Sequence, residues 1–264
     1  MSKDMSSQLQ KIVAIGGGEI DHPKNSGHGD YVNDTSAIDR EILHLTGKKA
    51  PTLLFIPTAS NDSKSYSQAV KKHFLKIGFS SIDTLYLSDE SLTKKQLKET
   101  ILCHDAIYVG GGNTLKMMTV WRKIGIDKIL KLALKKGIVL SGLSAGSICW
   151  FSQGVSDSES YGNEKKKYDQ VTGLSFINAI HCPHFSEEPR RKHAIKTTLM
   201  NSSKVAICLD DLVALVILGN KYKIIKGTSN SRAYKAYWKD NEYNLKEIVS
   251  DDSFKDLDSL LAKS

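Results

Sequence analysis

Short apolar runs alternate with amphipathic stretches through the first half of the chain. Residues 11–15, 52–56, 82–87, 106–109 and 138–140 read as strands, and glycine, proline or serine follows most of them within a few positions. Helical spacing separates them. Ile38, Ile42, Leu43 and Leu45 fall on one face, closed by Gly47 and opened by Asp34 or Thr35 as cap. Val70, Phe74 and Ile77 do the same before Gly78, and 93–102 reads as a helix. Leu115, Met118 and Trp121 follow Asn113 as cap, while Ile126, Ile129, Leu130, Ala133 and Leu134 keep the i, i+3, i+4, i+7, i+8 spacing up to Gly137. Continuous apolar strands between amphipathic helices predict a mostly parallel sheet covered on both faces. Such a sheet holds ligands at the carboxyl ends of its strands. Gly16-Gly17-Gly18, residues 57–61, residues 110–113 and Ser144 all fall on that edge.

The second half is less regular. Ile148-Cys149-Trp150-Phe151 is apolar enough to open a buried helix, and 152–173 is polar, which predicts a long loop beside the sheet edge. Residues 177–180 lead into His181-Cys182-Pro183-His184-Phe185, 190–200 read as a helix, and 205–209 as a strand ending at Asp210-Asp211. Residues 213–218 and 222–225, joined by Gly219-Asn220, predict a hairpin, and 234–238 a further strand. Phe254, Leu257, Leu260 and Leu261 give 250–264 the spacing of a helical tail. A polar stretch at 19–34 carries His22 and His28 and reads as a loop. No repeat or linker interrupts the 264 residues, so the expectation is a single α/β domain, with its core in 11–238 and its tail in 250–264.

Composition narrows the function classes. The chain is 40% hydrophobic and 25% charged, an ordinary globular balance. Its net charge of +8 invites a nucleic-acid reading, but the excess is mostly lysine spread along the chain, with no zinc-finger or RNA-recognition signature. Lys165-Lys166-Lys167 reads as a solvated loop. Cys103, Cys149, Cys182 and Cys208 are scattered without a C-x-x-C pair, as in reduced cytoplasmic proteins. No apolar run approaches the ~18 residues of a membrane span, and the start at 1–10 is polar, unlike a signal peptide. The expectations are a cytoplasmic monomer or homodimer without nucleic-acid or membrane partners.

The chemistry centres on Gly142-Leu143-Ser144-Ala145-Gly146. A strand, a sharp turn carrying serine and a helix form a nucleophile elbow, in which small neighbours let the chain turn tightly and expose the hydroxyl. The Ala145 N–H, at the helix start, would face a developing oxyanion. A serine needs a base, usually histidine, oriented by a carboxylate. Of eight histidines, His22 and His28 lie in the early loop, His44, His73 and His104 belong with outer helices, and His193 with an exposed helix face. His181 and His184 remain, and His184 is favoured because it leaves an apolar run just after Pro183. Asp211 ends a buried strand, as either the orienting carboxylate or a simple turn cap. Only 39 residues separate Ser144 from His184, too few for the strand and helix that the order serine, acid, histidine requires, so serine, histidine, aspartate fits better. No H-E-x-x-H or clustered ligand set calls for a metal or other cofactor.

These residues resemble a known family. The Gly110-Gly111-Gly112-Asn113-Thr114 turn, Ser144-Ala145-Gly146-Ser147 and Cys182-Pro183-His184-Phe185 are similar to the serine peptidases of the peptidase E and cyanophycinase group. So are 14–19, 55–60, Trp150-Phe151 and Ser156-Asp157-Ser158, in order over 11–238. The resemblance implies a three-layer, flavodoxin-like fold of the class I glutamine amidotransferase type. It implies Ser144 as nucleophile, His184 as base and Asp211 in a position usually held by glutamate, a side chain one methylene longer. It implies an oxyanion hole from the Gly112 and Ala145 amides, with Asn113, Ser156, Asp157 and Ser158 bordering a small peptide substrate. Family members cleave dipeptides that begin with aspartate, or the polymer cyanophycin; Arg190, Arg191 and several lysines could meet an acidic residue. The expectation is a dipeptidase-like hydrolase. Alternatives are a cyanophycinase or amidase with the same triad, or a non-catalytic binder using its glycine turns for a phosphate or nucleotide.

Overall fold

The structure, a computed structural model, describes residues 9–18, 20, 35–88, 92–160 and 167–264. Apart from Ile20, the predicted loop at 19–34 with His22 and His28, the Asp34 cap, most of the polar start, and Lys165 and Lys166 lie outside the described residues. The chain runs β1 (Lys11–Ile15), α1 (Ser36–Thr46), β2 (Thr52–Ile56), α2 (Lys64–Ile77), β3 (Ser81–Thr84), α3 (Lys94–Leu102), β4 (Ala106–Val109), α4 (Thr114–Ile124), α5 (Ile126–Lys135), β5 (Val139–Leu143) and α6 (Ala145–Ile148). It continues β6 (Phe151–Ser156), β7 (Asp169–Thr172), β8 (Ile177–Cys182), α7 (Pro189–Met200), β9 (Ala206–Leu209), β10 (Val213–Leu218), β11 (Lys221–Lys226), β12 (Ala233–Lys239), β13 (Glu242–Glu247), β14 (Lys255–Asp256) and α8 (Leu257–Leu261).

The helices start where the sequence supplies caps. The Thr93 hydroxyl accepts the Gln96 backbone N–H while the Gln96 side-chain Oε1 accepts the Thr93 N–H, a reciprocal box that opens α3. Asn113 opens α4 by accepting the Lys116 N–H at 2.9 Å. Thr35 precedes α1, but its hydroxyl donates to Asp39 instead of capping the backbone.

Eight strands form one sheet in the order β14-β11-β10-β1-β5-β4-β2-β3. Its β1, β5, β4, β2 and β3 run parallel, the first four buried almost throughout and β3 a more exposed edge, while β10 adds antiparallel to β1 with Ile12 opposite Ile217. One face packs on α1 and α2 through Ile38, Ile42, Val70 and Phe74, and the other on α4 and α5 through Met117, Trp121, Ile129 and Leu130. The single sheet expected from sequence is joined by a second, six-stranded one, ordered β13-β12-β9-β8-β6-β7, with β6, β8 and β9 parallel. Apolar side chains of both sheets, among them Leu140, Ala179, Ile207 and Leu215, share one buried cluster.

Three expectations are corrected. The polar stretch 152–173 is a loop only in part, because β6 and β7 pair across it. Ser152 and Ser156 are buried there with bonded hydroxyls, so the polarity that suggests a loop is satisfied inside a sheet. The helix expected at 148–151 ends at Ile148, since the Cys149 and Trp150 carbonyls accept from Leu174, Phe176 and Ile177 instead of from a following helical turn. The tail is helical only over Leu257–Leu261; Lys255 and Asp256 pair with β11, and the Asp256 carboxylate then caps α8 through the Ser259 N–H.

Candidate active site

Turns after β1, β4, β5, β8 and β9 meet where the carboxyl ends of the two sheets converge. Ser144 follows β5 with φ 55° and ψ −112°, a conformation that costs an L-residue about 1–3 kcal/mol and persists only where the surroundings impose it. They do so here. The Ser144 N–H donates to the Ile15 carbonyl on β1 at 3.0 Å, and its carbonyl accepts the Ser147 and Ile148 N–H groups at 2.9 and 3.0 Å. The flanking glycines have a steric reason. A Cβ at Gly142 would lie 2.2 Å from the Gly146 oxygen, and one at Gly146 would lie 2.1 Å from the Val109 oxygen on β4. The G-x-S-x-G string thus records two places where backbone touches backbone.

His184 leaves β8 through Pro183, also at positive φ, and is anchored by the buried Phe185, whose N–H donates to the Leu209 carbonyl. Its Nε2 lies 2.8 Å from Ser144 Oγ and its Nδ1 lies 2.5 Å from Asp211 Oδ1. A carboxylate only accepts, so Nδ1 carries the ring proton. When the ring holds a single proton, Nε2 is therefore free to accept the serine hydroxyl. The His184 and Asp211 side chains are about three-quarters buried, at 24% and 30% exposure, so the contact is only partly screened by solvent. Sequence reasoning chose these three residues, and the fold brings them together. The shorter aspartate reaches because Gly17 makes room for it: a Cβ there would stand 1.8 Å from Asp211 Oδ1 and 2.4 Å from the imidazole.

Neighbours that sequence reasoning missed hold the aspartate and the histidine loop. The Glu187 carboxylate accepts the Asp211 N–H at 3.0 Å, and the Gly17 carbonyl accepts the Leu212 N–H. The buried Asp210 carboxylate accepts the Ser186 N–H at 3.1 Å and the Arg232 N–H at 2.9 Å, joining the histidine loop to the loop before β12. The signal for Asp210 was present in the Asp210-Asp211 pair; that for Glu187 was not, since nothing local links it to β9.

The third wall is the glycine turn after β4. Gly111 abuts Ser144, where an added Cβ would lie 3.5 Å from Ser144 Cβ. Gly112 has φ +136°, and a side chain there would strike the Ala59 carbonyl. Asn113 is spent twice, capping α4 and donating to the Ser158 carbonyl at 2.9 Å. Ser158 accepts the Leu115 N–H and shares a 2.7 Å hydrogen bond with Ser156, which also bonds Thr114. Ser156 and Ser158 are buried. These two serines, expected to face substrate, instead pin the one-turn helix Ser158–Ser160 to the start of α4, leaving Asp157 half-buried between them. Arg191, one of the cations considered for an acidic substrate group, is likewise committed inside. Its guanidinium bonds Glu188 at 2.8 Å and the Val155 carbonyl at 3.2 Å, and lies 4.7 Å over the Tyr168 ring.

Among the described residues no three His, Cys, Asp or Glu side chains converge as metal ligands do. No helix there is long and apolar enough to cross a membrane.

Two mixed sheets with parallel centres, β1-β5-β4-β2-β3 and β6-β8-β9, with helices outside and turns meeting at the strand carboxyl ends, define an α/β protein of the peptidase E-like, class I glutamine amidotransferase-like type. A solved peptidase from an acI-B1 Actinobacterium superposes with a TM-score of 0.67 at 15% identity, over 95% of this chain and 98% of that one. A putative peptidase E protein from Listeria monocytogenes EGD-e does so with a TM-score of 0.60 at 16% identity, over 83% and 100%. The chain belongs to peptidase family S51, whose model matches residues 25–225. The uncharacterized peptidase YgaJ of Bacillus subtilis (strain 168) is 30% identical over 89% of this chain and 95% of its own length. A probable alpha-aspartyl dipeptidase of Drosophila melanogaster is 31% identical, over 46% of this chain and 47% of its own.

Proposed function

We propose that the protein is a serine peptidase that hydrolyses dipeptides or short peptides through an acyl-enzyme on Ser144. The observation that carries this reading is the continuous line Ser144 Oγ, His184 Nε2, His184 Nδ1, Asp211 Oδ1, with contacts of 2.8 and 2.5 Å, set on a strained turn at a sheet edge. In the reaction His184 takes the hydroxyl proton as Oγ bonds the peptide carbonyl carbon. Asp211 holds the ring and stabilises the imidazolium. The Gly112 and Ala145 amides face the oxyanion, a role in which losing one donor typically costs about 10²–10³ in turnover. The C–N bond then breaks, and the amine leaves with the proton from His184. Water, deprotonated by His184, then bonds the acyl carbon; the C–Oγ bond breaks, His184 returns the proton to Oγ, and the carboxylic acid leaves.

Asn113 and Asp157 border the substrate in this reading, and no resident cofactor takes part. With Arg191 neutralised by Glu188, an acidic first residue has lost one of its candidate partners. The shared core cluster supports one domain, and four unpaired cysteines, three of them buried, suit the cytoplasm. Hydrolysis of a dipeptide panel by the wild type and by Ser144→Ala tests the reading. Turnover by the wild type alone is expected; turnover retained by Ser144→Ala removes the serine from the mechanism.

A further inference from the structure

His181 is fully buried on β8, three residues before His184, and the reaction above gives it no task. Its Nδ1 lies 2.9 Å from the Ile207 carbonyl oxygen on β9, so that nitrogen carries the ring proton. Nε2 then offers only a lone pair, and it stands 2.9 Å from the Ser147 hydroxyl. Burial pushes the imidazole down to about 3, and like charge from Arg191 and His184 acts in the same direction, so the ring stays neutral and keeps this tautomer. The Phe151 ring lies parallel to it at 4.4 Å between centroids and fixes its plane.

Ser147 is equally buried, one turn past Ser144. Its hydroxyl is 2.7 Å from the Ser144 carbonyl oxygen as well as 2.9 Å from His181. One hydroxyl proton therefore serves two acceptors. The carbonyl keeps its two backbone donors whichever way the hydroxyl turns, and the oxygen stays lodged between turn and strand. The bridge ends on the residue whose backbone is strained, and strain of that kind is kept only where several contacts hold it.

We propose that Ser147 and His181 are positioning residues, a buried hydrogen-bonded pair that ties the strained Ser144 turn to β8, the strand that delivers His184. The proposal rests on the reading of Ser144 as nucleophile. Neither side chain touches the reacting atoms. The pair sets the spacing between Ser144 and His184 through the frame behind them, before any substrate arrives. A misplacement of about 1 Å can cost a hundredfold in rate. Loss of one contact among several at the Ser144 carbonyl shifts the hydroxyl less, which puts the expected loss at about tenfold.

The experiment measures acylation by a fluorophosphonate, resolved into kinact and KI, for wild type, Ser147→Ala, His181→Gln and the double variant, each checked by thermal melting. Expected is a kinact about tenfold lower in each single variant, KI within about twofold, and a double variant no slower than the worse single one, as for residues acting as a unit. A folded Ser147→Ala protein with wild-type kinact overturns the proposal, as do losses that multiply in the double variant or fall on KI. Should the variants not fold, nitrogen-15 correlation spectra of the wild-type histidines decide. His181 protonated on Nδ1 and unchanged from about pH 5 to about pH 8 supports the pair, and an Nε2-protonated or titrating ring overturns it. Labelling absent from the wild type, or surviving Ser144→Ala, sinks the nucleophile assignment and the positioning role with it.

Discussion

Gly17→Ala is a sharp probe of the site, because it adds one methyl at the crowded point between His184 and Asp211. The new Cβ would lie 1.8 Å from Asp211 Oδ1 and 2.4 Å from the imidazole Nδ1 and Cε1, against a floor of 3.0 Å for real Cβ contacts. The carboxylate must therefore retreat by at least 1.2 Å, the difference between 3.0 and 1.8 Å, and the ring by about half that. A shift of that size breaks the 2.5 Å contact and turns Nε2 off its 2.8 Å line to Ser144. Misalignment of about 1 Å costs about a hundredfold in rate. Folding should suffer much less. Both side chains are partly exposed, with room to rotate toward solvent, so a loss of about 1 kcal/mol is expected, worth about 2–4 °C in Tm at this chain length. Fluorophosphonate labelling and a thermal melt on the same sample give both quantities. A Gly17→Ala protein that acylates within about threefold of wild type would refute the argument that the His184–Asp211 contact drives the serine.

Asp211→Asn keeps the shape but removes the charge that holds the Nδ1 proton, and should lower turnover about 10³–10⁴-fold with little change in KM, read by steady-state kinetics on any cleaved dipeptide. Gly146→Ala drives a methyl to 2.1 Å from the Val109 carbonyl, which cannot yield as a flexible side chain would; about 1–3 kcal/mol of stability should be lost in urea melts. His181 is held neutral down to about 3, whereas the unfolded chain protonates it near its ordinary value. The unfolded state thus binds the extra proton, and stability falls as pH drops below about 6.5. The loss is about 2 kcal/mol by about pH 5, and His181→Gln should remove that part of the slope from urea midpoints measured across the range.

What could be read from sequence, and what could not, divides by the range of the constraint. Gly142, Ser144 and Gly146 were legible because a tight turn places backbone against backbone within a few residues. The β1, β2, β4 and β5 strands were legible because strands buried on both faces are largely apolar, with Lys11 and Thr52 only at strand starts and Ser141 as one buried polar exception. His184 and Asp211 could be placed at strand ends and ordered along the chain, and the family resemblance narrowed them further. Gly17 read only as a flexible turn, since what fills the space above it comes from β8 and β9. Ser147 carried no role beyond its place in the Ser144-Ala145-Gly146-Ser147 motif, since its partner lies 34 positions away. The second sheet was hidden for a similar reason. β13 is an exposed edge strand with only Tyr243 and Leu245 as apolar positions, neither of them buried, and β6 buries serines whose hydroxyls find partners only in the folded protein.

The most direct test of Ser144 as the acylated residue is a fluorophosphonate adduct, weighed on the intact protein and mapped by peptide. Expected is one adduct per chain, on Ser144, with acylation slowed by at least about a hundredfold in His184→Ala. A folded wild-type protein that takes up no probe, or takes it up at another residue, would contradict that assignment.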